Sequence, residues 1–261
     1  MKKNTKRTDI IILAVLIVLI AAGILFAVLQ NDGSNGGNAQ PASAGPVSYT
    51  DYNGKRLGII TGSSFEQVTL DNFPDSEYLY FNSTSDTAAA LSQGKIDGFL
   101  SDEPSMRMLC AEQKNLGYIN ELLTADDYAF GFQKTGDRAD KLRKQFNEML
   151  SDLIKDGTLD EMGKKWFGDD EDAKVVDLTG FSGENGELRV VTTSSDMPFS
   201  YIKDNKNVGI SIELTEKFCR RYGYTPVIED VDFAARIPGI TSGMYDMCAS
   251  SMAITEERKR A

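Results

Sequence analysis

The chain has no histidine at all, only three cysteines and a single tryptophan among its 261 residues. Without histidine there is no Ser–His or Cys–His catalysis, and most zinc sites are excluded. Cys110, Cys219 and Cys248 are odd in number and far apart, so they build neither a CxxC site nor a paired disulfide framework. They read as small buried hydrophobes. Positive charge is also scarce: 28 Lys and Arg face 39 Asp and Glu, a formal net charge of −11. A duplex nucleic-acid binder needs a basic face, so nucleic acid is not an expected partner. What remains, 41% hydrophobic and 26% charged, is globular composition, long enough for one or two domains.

The longest uncharged apolar run is residues 10–29, IIILAVLIVLIAAGILFAVL. As a helix at about 1.5 Å per residue it reaches about 30 Å, enough to cross a bilayer. Lys2, Lys3, Lys6 and Arg7 precede it, which makes residues 1–9 a cytoplasmic basic head and sends the remainder outside. A cleaved signal peptide is the competing reading. Its apolar core spans about 7–15 residues and ends in a small-x-small site. Here the run is longer, ends in AVLQ and has no cysteine after it, which favours an uncleaved transmembrane anchor. The expected location is the cell membrane, single-pass, with the body on the extracytoplasmic side. Residues 30–49, rich in Gly, Ser, Asn and Ala, read as a flexible linker.

Beyond the linker the pattern alternates. RLGII (56–60) is a short buried strand, and Thr61-Gly62-Ser63-Ser64 turns from it into a helix with capping-box spacing at Ser64/Gln67 and Ser63/Glu66. A helix over about 86–93 starts after Ser85 and stops at Gly94; IDGFL (96–100) and YAFGF (128–132) are strands. Leu142, Phe146, Met149, Leu150 and Ile154 give the next helix one apolar face, and a short helix carries Trp166. Residues 169–185 are acidic and read as a connector. LRVVT (188–192) is a strand, and 211–222 a helix ended by Gly223. Strand–helix alternation predicts an α/β architecture with mainly parallel sheets. There is also an internal echo. ALSQGKIDGFLSD (90–102) and GITSGMYDMCASS (239–251) each place a glycine, two residues and an aspartate before a short strand. Two similar lobes would explain it, with Asp97 and Asp246 as turn residues where a strand begins.

The stretch from LRVVTTSSDMPFSYIKDNKNVGISIELTEKF to DFAARIPGITSGMYDMCASSMAITEERKR resembles the opening of extracellular solute-binding proteins of polar amino-acid ABC importers. The carrying motifs are Pro198-Phe199, Val208-Gly209, Asp232-Phe233 with Ile237-Pro238, Ser242-Gly243-x-Tyr245-Asp246 and Ile254-Thr255-Glu256-Glu257-Arg258. NGKRLGIITGSSFE, ALSQGKIDGFLSDEP, YAFGF and LIKDGTLDEMGKKWFG resemble the latter part of the same family. The order is inverted. The resemblance implies a bilobed, type II periplasmic-binding-protein-like fold. Lobe B is residues 50–125; lobe A is 126–168 together with 186–261. Either the pieces assemble as one permuted receptor, or the chain is the front of a longer tandem protein.

The resemblance also assigns roles. Arg258 grips a ligand α-carboxylate, a task that suits a planar guanidinium. Asp102 takes the ligand ammonium, although Asp102-Glu103-Pro104 also reads as a helix cap. Phe233 covers the apolar part, Ser63 and Ser64 offer backbone N–H groups and hydroxyls, and Ser251 offers a carbonyl or hydroxyl to the ammonium. Asp196 stands where the family has an aromatic residue and would favour a cationic ligand side chain; Ala253 stands in for a usual Thr. The implied partners are a small-molecule amino acid and an ABC permease, with no cofactor or metal and no enzymatic activity. A ligand-sensing domain of a signalling protein is the alternative. A dehydratase or lyase on the same fold would need an acid or base, for which Glu66 and Glu103 are the candidates.

Overall fold

The computed structural model describes residues 15–16, 27–29, 48–125 and 127–260. The expected anchor over 10–29 and most of the linker over 30–49 lie outside the described residues. The exceptions are two short strands, β1 (Val15–Leu16) and β2 (Ala27–Leu29). No helix among the described residues is long and apolar enough to cross a membrane.

A first α/β body runs through β3 (Arg56–Ile60), α1 (Phe65–Asn72), β4 (Glu77–Phe81), α2 (Thr84–Ser92), β5 (Gly98–Phe99), α3 (Glu103–Glu112) and β6 (Leu116–Tyr118). β3 is central in a parallel sheet of order β4-β3-β5. Its unbroken apolar run suits a strand covered on both faces, and Leu57, Ile59 and Ile60 are buried. Ala88, Leu91, Ile96, Phe99 and Met106 form one core cluster, and Tyr52, Leu57, Phe73 and Leu100 another. α2 begins two residues earlier than expected. Ser83, in extended conformation, accepts the Asp86 amide at 3.1 Å and is the cap, in place of Ser85.

The second body runs through β7 (Tyr128–Phe132), α4 (Asp137–Lys155), α5 (Thr158–Phe167), β8 (Glu187–Thr192), β9 (Ser195–Asp196), β10 (Ser200–Lys203), β11 (Lys206–Val208), α6 (Ile210–Tyr222), β12 (Thr225–Asp230), α7 (Arg236–Thr241) and β13 (Met247–Ala253). The main sheet has the order β1-β7-β13-β8-β12. β12 and β13 flank β8 in parallel, but β7 pairs antiparallel with β13, so this sheet is mixed rather than mainly parallel. One core joins the two sequence segments: Phe130, Leu142, Phe146, Met149 and Trp166 pack with Leu188, Val190, Ile210, Leu214 and Phe218. The Phe146 ring lies 4.5 Å from that of Phe130 and 5.6 Å from that of Phe218. Trp166 Nε1 donates to Glu213 Oε2 at 2.6 Å.

The connector is docked along its length. Lys174 is buried and pairs with Glu171 at 2.5 Å, while Lys165 donates to the Val175 carbonyl at 2.9 Å. Arg220 donates to the carbonyls of Asp177 and Thr179 at 3.0 and 3.1 Å. Val176 and Phe181 pack against the core.

The sequence echo is a structural one. Gly94 and Gly243, at φ +68° and +79°, end α2 and α7 in the left-handed region that glycine tolerates. Three residues on, each aspartate clasps the arginine near the start of its neighbouring strand. Asp97 N–H donates to the Arg56 carbonyl at 2.7 Å, and its carboxylate accepts from Arg56 N, Nε and Nη2 at 2.9, 3.0 and 2.7 Å. Asp246 repeats this on Arg189 at 2.8, 2.9, 3.3 and 3.0 Å. The clasps secure the strands at one end of each sheet.

Candidate functional site

The first wall of the site is the turn after β3. Ser63 N–H closes it on the Ile60 carbonyl at 3.0 Å, and Gly62 sits at φ +77°. A Cβ at Gly62 would lie 3.2 Å from the Ala234 backbone of the other body, so this close approach needs glycine. The expected capping boxes are absent. Ser64 is already helical at φ −68°, ψ −18°, which keeps its hydroxyl from folding back onto the first amides. The same wall holds Asp102, ahead of α3. It occupies the cap position in extended conformation, φ −66°, ψ 141°, but its side chain does not cap the helix. It is 6% exposed, and its side chain lines the space between the two bodies.

The facing wall comes from β9, β13 and the turn at 233–235. The β13–β7 register shifts between Cys248 and Met252, an irregularity that re-aims Ser250 and Ser251. Both hydroxyls donate to Asp196 Oδ2, Ser250 at 3.2 Å and Ser251 at a shorter distance. Ser250 in turn accepts from Arg236 Nη1. Arg236 is 1% exposed, donates through Nε to the Phe233 carbonyl at 3.1 Å, and lays its guanidinium 3.4 Å from the centre of the Phe233 ring. Burial pushes the Asp196 carboxyl up against the pull of Ser251, Arg236 and Ser250. Burial lowers Arg236 against the support of Cys248 and Asp196.

Arg258 closes the gap between the bodies. Its amide is held by Thr255 Oγ1 at 3.1 Å and its Nη1 by the Ala253 carbonyl at 2.9 Å, while Nη2 donates to the Gly62 carbonyl at 3.0 Å.

Two adjoining spaces that share Ser63, Ser64 and Phe233 lie between these walls. An inner chamber of about 20 Å³ is lined by Ser63, Ser64, Asp102, Asp196, Phe233 and Ser251 together with Thr84, Ser101 and Tyr128. It has the room of a single water or an ammonium head. The Ser63 and Tyr128 hydroxyls are buried with no hydrogen-bond partner among the described residues. Leaving such groups unmet costs about 1–3 kcal/mol each. An outer chamber of about 610 Å³ shares Ser63, Ser64 and Phe233 and adds Arg258, Glu66 and Glu257. Asp102 and Asp196 thus line the smaller space, and the guanidinium of Arg258 lines the larger one beside Glu66 and Glu257.

All seven residues singled out in the sequence line one or both chambers. Two have commitments that sequence did not suggest: the Ser251 hydroxyl hydrogen is directed to Asp196, and Asp196 is tied to Arg236 through Ser250. Arg236, Tyr128, Ser101 and Thr84 were missed. The signal for Arg236 was a lone cation inside the apolar stretch FAARIPGI.

Residues 188–261 match the sequence profile of the bacterial extracellular solute-binding proteins, family 3. The chain is 30% identical over 129 residues to the "Probable amino-acid-binding protein YxeM" of Bacillus subtilis strain 168, covering 47% of each chain. It is 34% identical over 74 residues to the "Probable histidine-binding protein" of Campylobacter jejuni, covering 28% of this chain and 29% of that one. In three dimensions it is similar to a mutant of ArgBP from T. maritima, at 20% identity and a TM-score of 0.46 over 57% of this chain and 58% of that one. The chain spans about half the length, or less, of the curated relatives it matches. The resemblance is to polar amino-acid solute-binding proteins.

Proposed function

We propose that this chain is an extracytoplasmic receptor that binds a polar amino acid between its two bodies and delivers it to an ABC import permease. In this reading residues 10–29 tether it to the membrane, and lobe A is assembled in permuted order from 126–168 and 186–261. The observation that carries the proposal is the polarity of the enclosed cleft. Asp102 and the buried, unmet hydroxyls of Ser63 and Tyr128 line the inner chamber, and Arg258 lines the adjoining outer one. A free amino acid presents an ammonium and a carboxylate at a fixed spacing, and a shielded cleft must neutralise both. The ammonium enters the inner chamber toward Asp102. The carboxylate takes the place of the Gly62 carbonyl on Arg258 Nη2, with Phe233 over the apolar atoms.

An inner chamber of about 20 Å³ is too small for a whole amino acid, so binding requires the bodies to part and close again. The names of the relatives support binding rather than catalysis. Burial, and then the nearby charge of Glu66, push the Tyr80 hydroxyl up.

Calorimetry on the full chain with polar L-amino acids and their carboxyl-amides tests the reading. The free acid should bind at least thirtyfold more tightly than its amide, and Arg258→Ala should abolish that preference, a cost of about 2–5 kcal/mol. Equal affinity for acid and amide would overturn the carboxylate role of Arg258.

A further inference from the structure

We infer that Arg236 is the built-in counter-charge of Asp196, and that this pairing selects a ligand whose side chain is uncharged. The inference rests on the receptor reading above and names its substrate class. Viewed alone, Asp196 is a buried carboxylate in the wall of the proposed binding cleft, an invitation to lysine or arginine. The contacts say otherwise. Asp196 Oδ2 accepts both serine hydroxyl hydrogens, and Ser250 relays the buried guanidinium of Arg236 to it. The relay has one direction throughout, from cation to hydroxyl to carboxylate. Neither serine has a hydrogen left for a ligand.

The charge count follows. Asp196 and Arg236, both deeply buried, cancel. In the receptor reading Asp102 and Arg258 serve the two ends of a zwitterion. A cationic side chain would bring a third ligand charge into the cleft, and the deep carboxylate left for it among the described residues, Asp196, is already neutralised, so it would be desolvated without compensation. Glu66 and Glu257 line the outer chamber, which is open to solvent, and screening leaves them little power to discriminate. Arg236 has a second task at the same place. It holds Phe233 by a carbonyl bond and a face-on stack, so the aromatic lid and the charge balance depend on one side chain.

Two measurements test this. The first uses the ligand-free full chain in a denaturant cycle with Arg236→Met, Asp196→Asn and the double variant. Arg236→Met strands a buried carboxylate and should destabilise strongly; adding Asp196→Asn should restore most of the loss, with coupling of at least tenfold in the folding equilibrium. If Arg236→Met does not fold, a folded double variant is itself the rescue. A double variant no more stable than Arg236→Met overturns the pair. The second is calorimetry with L-glutamine, L-serine, L-lysine and L-arginine. The native chain should bind one of the neutral pair at least tenfold more tightly than either cation, and Arg236→Met should shrink or invert that ratio. Tighter binding of lysine or arginine by the native chain overturns the selectivity. Failure of every amino acid to bind would instead overturn the receptor reading, and the ligand-free cycle would still decide the pair.

Discussion

Asp246 offers the most quantitative test of the packing. It is 3% exposed and accepts from two guanidinium groups: Arg189 on its own sheet, and Arg138 on α4 through Nε and Nη2 at 3.0 and 3.1 Å. Against the cost of burial, Arg189 and Arg138 hold its carboxyl down at about 2, from an ordinary 3.8. A depressed carboxyl stabilises the fold above the unfolded pKa and loses that contribution as pH falls through the folded one. The shift corresponds to a ceiling of about 2.4 kcal/mol at neutral pH. Both arginines are about half exposed, at 50% and 46%, so screening reduces the expected value to about 1–2 kcal/mol. Asp246→Asn mimics the protonated carboxyl. Urea unfolding should therefore place the variant about 1–2 kcal/mol below the native chain at pH 7, with the gap roughly halved near pH 3. A gap that is the same at pH 7 and pH 3 would refute the charge argument and leave only a packing effect.

Two further substitutions probe the cleft. Asp102→Asn keeps the shape and hydrogen-bonding of the side chain and deletes its charge, so amino-acid affinity should fall at least tenfold, about 1.4 kcal/mol; unchanged affinity would return Asp102 to a structural role. Gly62→Ala should disfavour the closed arrangement, since its φ of +77° and the Ala234 backbone both oppose a methyl group. About 1–2 kcal/mol of strain is expected, read as weaker ligand binding and a larger radius of gyration in solution scattering.

Much of the fold was legible because local rules governed it. The apolar stripe of α4, the continuous run of β3 and the glycine stops after α2, α6 and α7 each depend on neighbours within a turn or two. The errors came where a choice between adjacent residues depended on backbone angle. Ser83 and Ser85 are both plausible caps, and only the extended conformation of Ser83 decides between them. Ser64 has the right chemistry for a capping box but begins the helix too early for its side chain to reach back. Motifs supplied the candidate cleft residues, but not how they pair. Asp196, Ser250 and Arg236 lie on β9, β13 and α7, and no local pattern couples them.

The two clasps differ in what they fasten. In the first body, among the described residues, Asp97 is hydrogen-bonded by Arg56 and stays about one-third exposed. In the second, α4 supplies Arg138 as an additional partner, and Arg138 Nη2 also reaches the Glu187 carbonyl at 2.7 Å. Asp246 is correspondingly buried. The segment that precedes the connector is thus fastened to the segment that follows it at Asp246, just ahead of β13, while Trp166 and Glu213 fasten them again at the helical layer. Between these points the connector gains contacts of its own through Lys174 and Phe181. Three separate fastenings make the joint a packed interface rather than a tether. A joint of that kind keeps β13 and the turn at Phe233 in register with β7, and so holds Tyr128 and Asp196 in one chamber.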